Sequence, residues 1–160
     1  CALGFYSWRL YVANRLWRDA AQLTRSIKDD LTASSSQKHL TILNAPDNLR
    51  GVPVFHNGLP EALQFFQTEK PIESVEINAF QTLQLASDEN SLHPADDMFT
   101  LQPANRVDTF SRASSSDCLE LLSQSADGLK LRRKPCLTTT EVYFLSGGKM
   151  RPAFRADSHQ

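Results

Sequence analysis

Asp47 and Asn48 stand in the stretch Ala45-Pro-Asp-Asn-Leu-Arg-Gly51, and His56, Asn57 and Gly58 follow a few residues later. The first stretch comes directly after an apolar run that reads as a strand, and strand ends are where α/β folds place functional side chains. The second opens an apolar-periodic segment, so Asn57 reads as a helix cap and Pro60 falls in the tolerated first turn. A carboxylate, an imidazole and a helix N-terminus sharing one cleft could hold an anionic group, with Asp47 and His56 as a proton-transfer pair. The same residue types are also ordinary turn and cap formers, and that account needs no chemistry.

Other chemistry is thin. The histidines at 39, 56, 93 and 159 show no HxxxH or HxH spacing, so no metal site is expected. No GxSxG elbow is present, and the serines cluster at 34–36 and 114–116 in linker-like runs. Ser146-Gly-Gly-Lys149 lacks the upstream glycine of a phosphate loop and has Met150 at the Ser/Thr position, so a tight turn explains its glycines. No cofactor motif emerges. Cys1, Cys118 and Cys136 form no CxxC pair. A three-residue hairpin loop at 126–128 would set Cys118 opposite Cys136, a geometry fit for a cross-strand disulfide and an oxidising compartment. Two unpaired buried thiols are the other reading, because a slip of one residue separates them.

Residues 130–155 are basic. They carry Lys130, Arg132, Arg133, Lys134, Lys149, Arg151 and Arg155 against Glu141. A solvated face accounts for them, and an anionic lipid, polysaccharide or protein partner is the alternative. Nucleic acid is not expected: the formal net charge is -1 and no aromatic platform accompanies the patch.

The elements that must position these residues follow from length and periodicity. The chain has 160 residues, 41% of them hydrophobic and 22% charged, which fits one ordinary domain. Its first thirteen residues are apolar and aromatic apart from Ser7 and Arg9, too short to span a bilayer but suited to the last turns of a spanning or interfacial helix. Packing on the domain's own core is an equal alternative, and a lipidated Cys1 is a third. Cys1 in place of Met marks a processed chain or a piece of a longer one.

Residues 14–31 read as a helix: Leu16, Ala20, Leu23, Ile27 and Leu31 form one apolar stripe, with Asn14 as the cap. Residues 39–44 and 74–79 read as strands around a helix after Asn57, a βαβ-like unit. Residues 45–51 and 87–97 read as loops. Runs at 81–85, 98–101, 106–110, 119–122, 129–133 and 141–145 read as strands of a small antiparallel sheet. The expected class is α/β (α+β): an anchor or interfacial segment at 1–13, an α/β unit at 14–85, a β-rich portion of the same domain at 86–148 and a loose tail at 149–160.

Tyr11, Asn14-Arg-Leu-Trp17, Ala20, then Leu43-Asn-Ala-Pro-Asp-Asn-Leu-Arg-Gly51, Val54-Phe-His-Asn-Gly58 and Glu61-Ala-Leu63 together resemble the C-terminal extramembrane segment of multi-pass bacterial membrane proteins related to GT-C glycosyltransferases. The likeness covers about a third of the chain. It departs from the pattern at Ala45, where a larger apolar residue is usual, and at Pro53. It implies a domain on the cell membrane, facing the periplasm or cell exterior, whose parent handles lipid-linked sugars or polysaccharide. No catalytic residue carries over; Asp47, Asn48, Arg50, Gly51, His56, Asn57 and Gly58 carry over only as motif members. The expectation is a non-catalytic extracytoplasmic C-terminal domain of a polytopic, glycosyltransferase-like membrane protein, with an accessory or acceptor-recognition role. The competitors are a small soluble enzyme using Asp47 and His56, and a secreted or lipid-anchored binding module.

Overall fold

The apolar stripe at 16–31 does form a helix, but a longer one than its own caps suggest. In the computed structural model, which describes residues 2–34, 38–55, 58–66, 72–136 and 140–156, α1 runs without a break over Ala2–Ser34. Asn14 is therefore inside the helix, not its cap. No proline interrupts residues 2–13, and most of them are fair helix formers, so the turn pattern extends backwards past the residue that would otherwise cap it. At about 1.5 Å per residue, α1 is about 50 Å long. Among the described residues, no helix is long and apolar enough to cross a membrane.

Among the described residues, the strands form three four-stranded sheets. In the first, β1 (His39–Ile42) is central, with β4 (Ser74–Ile77) and β11 (Thr140–Ser146) parallel on either side and β12 (Lys149–Ala156) antiparallel beyond β11. The chain between β1 and β4 passes through α2 (Leu59–Phe66), so this is a parallel strand–helix–strand unit with His39 opposite Ser74 and Ile42 opposite Ile77. The second sheet has the order β3 (Val52–Pro53), β2 (Ala45–Leu49), β5 (Phe80–Leu83), β8 (Thr109–Ser111). The third is antiparallel throughout: β6 (Ser91–Ala95), β7 (Met98–Gln102), β10 (Gly128–Arg133), β9 (Leu119–Ser125). With two helices segregated from mixed and antiparallel sheets, the class is α+β.

Two apolar cores flank the first sheet. Ala20, Leu23, Ile27 and Leu31 of α1 and Leu59 and Leu63 of α2 pack with Leu40, Ile42, Tyr143 and Leu145 in one core. Val142 and the adjoining Leu43 join Phe99, Leu101, Leu119, Leu129 and Leu131 of the third sheet in the other. Alternation along β11 sends neighbouring residues to opposite cores, as a sheet covered on both faces requires.

Three stretches differ from their sequence reading. Residues 45–49 are β2, not a loop. The β2–β5 register shifts between Pro46 and Asn48, and that irregularity absorbs the proline's missing donor while Ala45 and Leu49 stay buried. Turn chemistry is confined to Arg50 and Gly51. Residues 91–95 form β6, an edge strand where Pro94 is tolerated. Residues 149–156 are β12, not a loose tail. Gly147 and Gly148, at φ 61° and 70°, make the two-residue turn that pairs Ser146 with Lys149. At Gly148 a Cβ would lie 2.9 Å from the Ala86 carbonyl oxygen, so a side chain there meets backbone. The turn is also tied to α1 by the Ser26 hydroxyl, which donates to Gly148 O at 3.1 Å.

Candidate functional site

The motif stretch folds into a strand and a hairpin turn, and most of its polar side chains hold that turn in place. Asn48 Oδ1 accepts the Gly51 N–H at 3.1 Å, and Asn48 Nδ2 donates to Thr82 Oγ1 at 3.1 Å. Asp47 Oδ1 accepts from Arg112 Nη2 at 2.6 Å, and the same guanidinium lies 3.9 Å from the centre of the Phe80 ring. Arg112 thus clamps Asp47 while covering an aromatic face. Gly58, at φ 101°, stands at the start of α2, where its carbonyl accepts the Ala62 N–H at 2.9 Å. His56 and Asn57 lie outside the described residues.

Arg50 is the exception within the motif. Its φ is 50° and that of Gly51 is 80°, so both turn positions are left-handed. Asn-Gly or Asp-Gly is the usual choice for such a turn, and another residue at the first position costs about 1 kcal/mol. The Arg50 N–H donates to Leu83 O at 2.9 Å and its Nε to Gln84 O at 2.6 Å, which fixes the base of the guanidinium while the side chain stays exposed.

Arg50 borders a groove of about 680 Å³ between α1 and the turns that end the second sheet. Trp8, Tyr11, Arg15 and Asp19 of α1 line one side, and Arg50 and Gln84 the other. Among the described residues, no carboxylate lies within ion-pair distance of Arg15 or Arg50, although Asp19 lies one turn beyond Arg15. The side of α1 away from the domain adds to the apolar surface. Residues 4–15 are all exposed, with Tyr6 at 70%, Trp8 at 64% and Tyr11 at 61%, whereas the first buried residue among the described side chains of α1 is Ala20.

Gln84 of the groove wall is bonded in turn to an acid that no local sequence pattern marks. Asp108 is buried; its Oδ1 accepts the Gln84 N–H at 2.9 Å, and its Oδ2 has no donor among the described residues. Burial pushes its carboxyl above the ordinary carboxylate value and the neighbouring Asp88 adds to the rise, against the pull of the Gln84 N–H. Asp88 Oδ2 in turn accepts the Leu85 N–H at 3.0 Å. Nothing in the local pattern of either aspartate marks them as neighbours.

A second feature missed from sequence is a buried amide network. Asn44 Nδ2 donates to Gln81 Oε1 at 2.7 Å, Gln81 Nε2 to Asn90 Oδ1 at 3.0 Å, and Asn90 Nδ2 to Leu145 O at 2.8 Å. Asn44 Oδ1 closes the set by accepting the Leu145 N–H at 2.8 Å. These side chains satisfy backbone groups where the first sheet passes into the second, a structural task.

Cys118 and Cys136 form a disulfide with Cα atoms 5.1 Å apart. They meet by a different route from the expected one. The β9–β10 turn has two residues, Ala126 and Asp127, and beyond a bulge Leu131 faces Leu121, not Ser123. In this register Cys118 lies beside Lys134, whose N–H it accepts at 2.8 Å, and the chain after β10 brings Cys136 back to it. The basic stretch is partly spent on local contacts: Arg132 lies 3.4 Å from Glu120, and Arg133 stacks 4.9 Å from the Phe154 ring centre. Among the described residues, no group of three or more potential metal ligands converges.

Comparison of the chain with protein families, curated proteins and solved structures found no match.

Proposed function

We propose that this chain is a membrane-anchored accessory domain facing the periplasm or cell exterior, with an acceptor-recognition role beside a membrane enzyme that handles lipid-linked sugars. The observation that carries the membrane part is the bare first half of α1. Twelve consecutive residues, 4–15, are exposed, and Phe5, Tyr6, Trp8, Leu10, Tyr11 and Val12 are among them. Leaving such a surface in water is unfavourable, and rings of Trp and Tyr with one arginine suit the headgroup region of a bilayer. The disulfide favours an oxidising compartment, which agrees with an extracytoplasmic domain. The sugar-handling part rests on the motif resemblance alone.

A catalytic role for Asp47 has less support, because Arg112 already occupies its carboxylate and the Asn48 beside it holds the turn. The domain accordingly lacks turnover of its own. Flotation with phosphatidylcholine vesicles tests the anchor: the chain is expected to rise with them, and a variant with Phe5, Trp8 and Tyr11 changed to Ser is expected to stay behind. Sugar transfer by this chain alone, supplied with lipid-linked donor and acceptor, refutes the accessory role.

A further inference from the structure

We infer that the groove between α1 and the β2–β3 turn is a binding site for the headgroup of an anionic phospholipid, with Arg15 and Arg50 receiving its phosphate. The inference rests on the membrane reading above and adds a ligand, a place and two residues to it. Three observations lead there.

The groove lies at the level of the helix where the aromatic section ends. Trp8 and Tyr11 belong both to the exposed apolar surface and to the groove wall, so a bilayer that receives those rings brings its headgroups to Arg15 and Arg50. The charges are complementary to a phosphate. Arg15 and Arg50 face Asp19 as the one acid in the groove wall, and among the described residues neither arginine has a carboxylate within ion-pair distance. A planar guanidinium suits phosphate oxygens better than a point charge does. Finally, Arg50 occupies a left-handed position that asparagine or glycine fills with less strain. The Gln84 carbonyl, accepting from Nε, tethers the base of that side chain beside the groove and leaves its tip exposed.

The test measures partition of the whole chain into vesicles of phosphatidylcholine alone and of phosphatidylcholine mixed with phosphatidylglycerol, at one salt concentration. Arg50→Asn removes the guanidinium in a residue the turn accepts, Arg15→Gln removes the other, and Arg18→Gln is an exposed control on α1 outside the groove wall. The chain is expected to prefer the anionic vesicles. Arg15→Gln and Arg50→Asn are each expected to lower that preference by about fivefold, the usual effect of one basic residue at a lipid surface. Arg18→Gln is expected to change it less than twofold, and thermal melting is expected to show all three variants folded like the parent.

Equal losses for Arg18→Gln and the groove variants overturn the site in favour of diffuse attraction. Equal partition into both vesicles overturns the anionic ligand while leaving the anchor standing. Failure to bind either vesicle overturns the anchor itself. Suppression of the preference by millimolar glycerol phosphate with Arg50 intact, together with groove binding of glycerol phosphate in the absence of vesicles, assigns the site to a soluble phosphate and overturns the lipid headgroup.

Discussion

The two halves of α1 share one helical backbone and differ in everything that touches it. From Ala20 onward the stripe Ala20, Leu23, Ile27 and Leu31 is buried at 3% exposure or less, and Ser26 and Asp30 reach across to the β11–β12 hairpin. Before Leu16 no residue with a described side chain is covered at all. The buried half has charged residues opposite its stripe, whereas the bare half has rings around most of its circumference. A helical section with rings on several sides and no described side chain covered leaves apolar surface that the domain itself does not bury. The difference separates two tasks: the second half holds the domain together, and the first half is available to something apolar outside it.

Substitutions in the two halves should therefore fail in different ways. Ile27→Ala, in the buried half, is expected to lose about 4 kcal/mol by urea unfolding, since it empties a fully buried site. A loss below about 1 kcal/mol would mean that α1 does not pack as described. Replacing both Cys118 and Cys136 with Ala opens a loop with a sequence separation of 18 and is expected to cost about 3 kcal/mol. Because the disulfide is remote from α1, vesicle binding should survive this change wherever the chain remains folded. Asn90→Ala leaves Gln81 and the Leu145 carbonyl short of partners and is expected to cost about 2 kcal/mol, again without altering vesicle binding.

Asp108 offers a smaller effect with a sign. Its folded carboxyl holds a proton to higher pH than an unfolded one, so its contribution to stability falls as pH rises from the ordinary carboxylate value through the raised one, and is flat above that. Asp108→Asn keeps the acceptor for Gln84 and is expected to gain about 1 kcal/mol at pH 7, with no gain at the acid end. Urea melts across pH, compared as the difference between the two proteins, read this directly; a variant that is less stable at every pH contradicts it. Smallest of all, Trp8→Ala is expected to change stability by less than about 0.5 kcal/mol while weakening vesicle binding, the reverse of Ile27→Ala.

Structure is legible in this sequence where periodicity is long and uninterrupted. The α1 stripe, the parallel partners β1 and β4 with a helix between them, and the cores of β7, β9, β10 and β11 are all written in local pattern. It is not legible where pairing overrules a local signal. Pro46, Asp47 and Asn48 look like a loop, and only the partner strand β5, with its shifted register, makes them a strand. Pro94 and Pro152 likewise sit on edges that sequence cannot distinguish from loops. The polar features were least legible because their partners are distant in the chain. Asp108 meets the N–H of Gln84, Asp47 meets Arg112, and Asn44 reaches Leu145, and no spacing rule connects such residues. Of the motif residues, Asp47 is held by Arg112, Asn48 holds the turn, and Arg50 borders the groove, and none of these placements follows from local spacing.

The two tryptophans give the proposed anchor its most direct measurement, since both lie on α1 and no others are present. Trp17→Phe leaves Trp8 as the reporter, and Trp8→Phe leaves Trp17, about 13 Å further along the helix. With vesicles of brominated phosphatidylcholine, Trp8 emission is expected to shift to the blue and to be quenched strongly, and Trp17 emission to be quenched less. Trp8 emission that stays at its aqueous wavelength and is no more quenched than in plain buffer contradicts a lipid-seeking first half of α1.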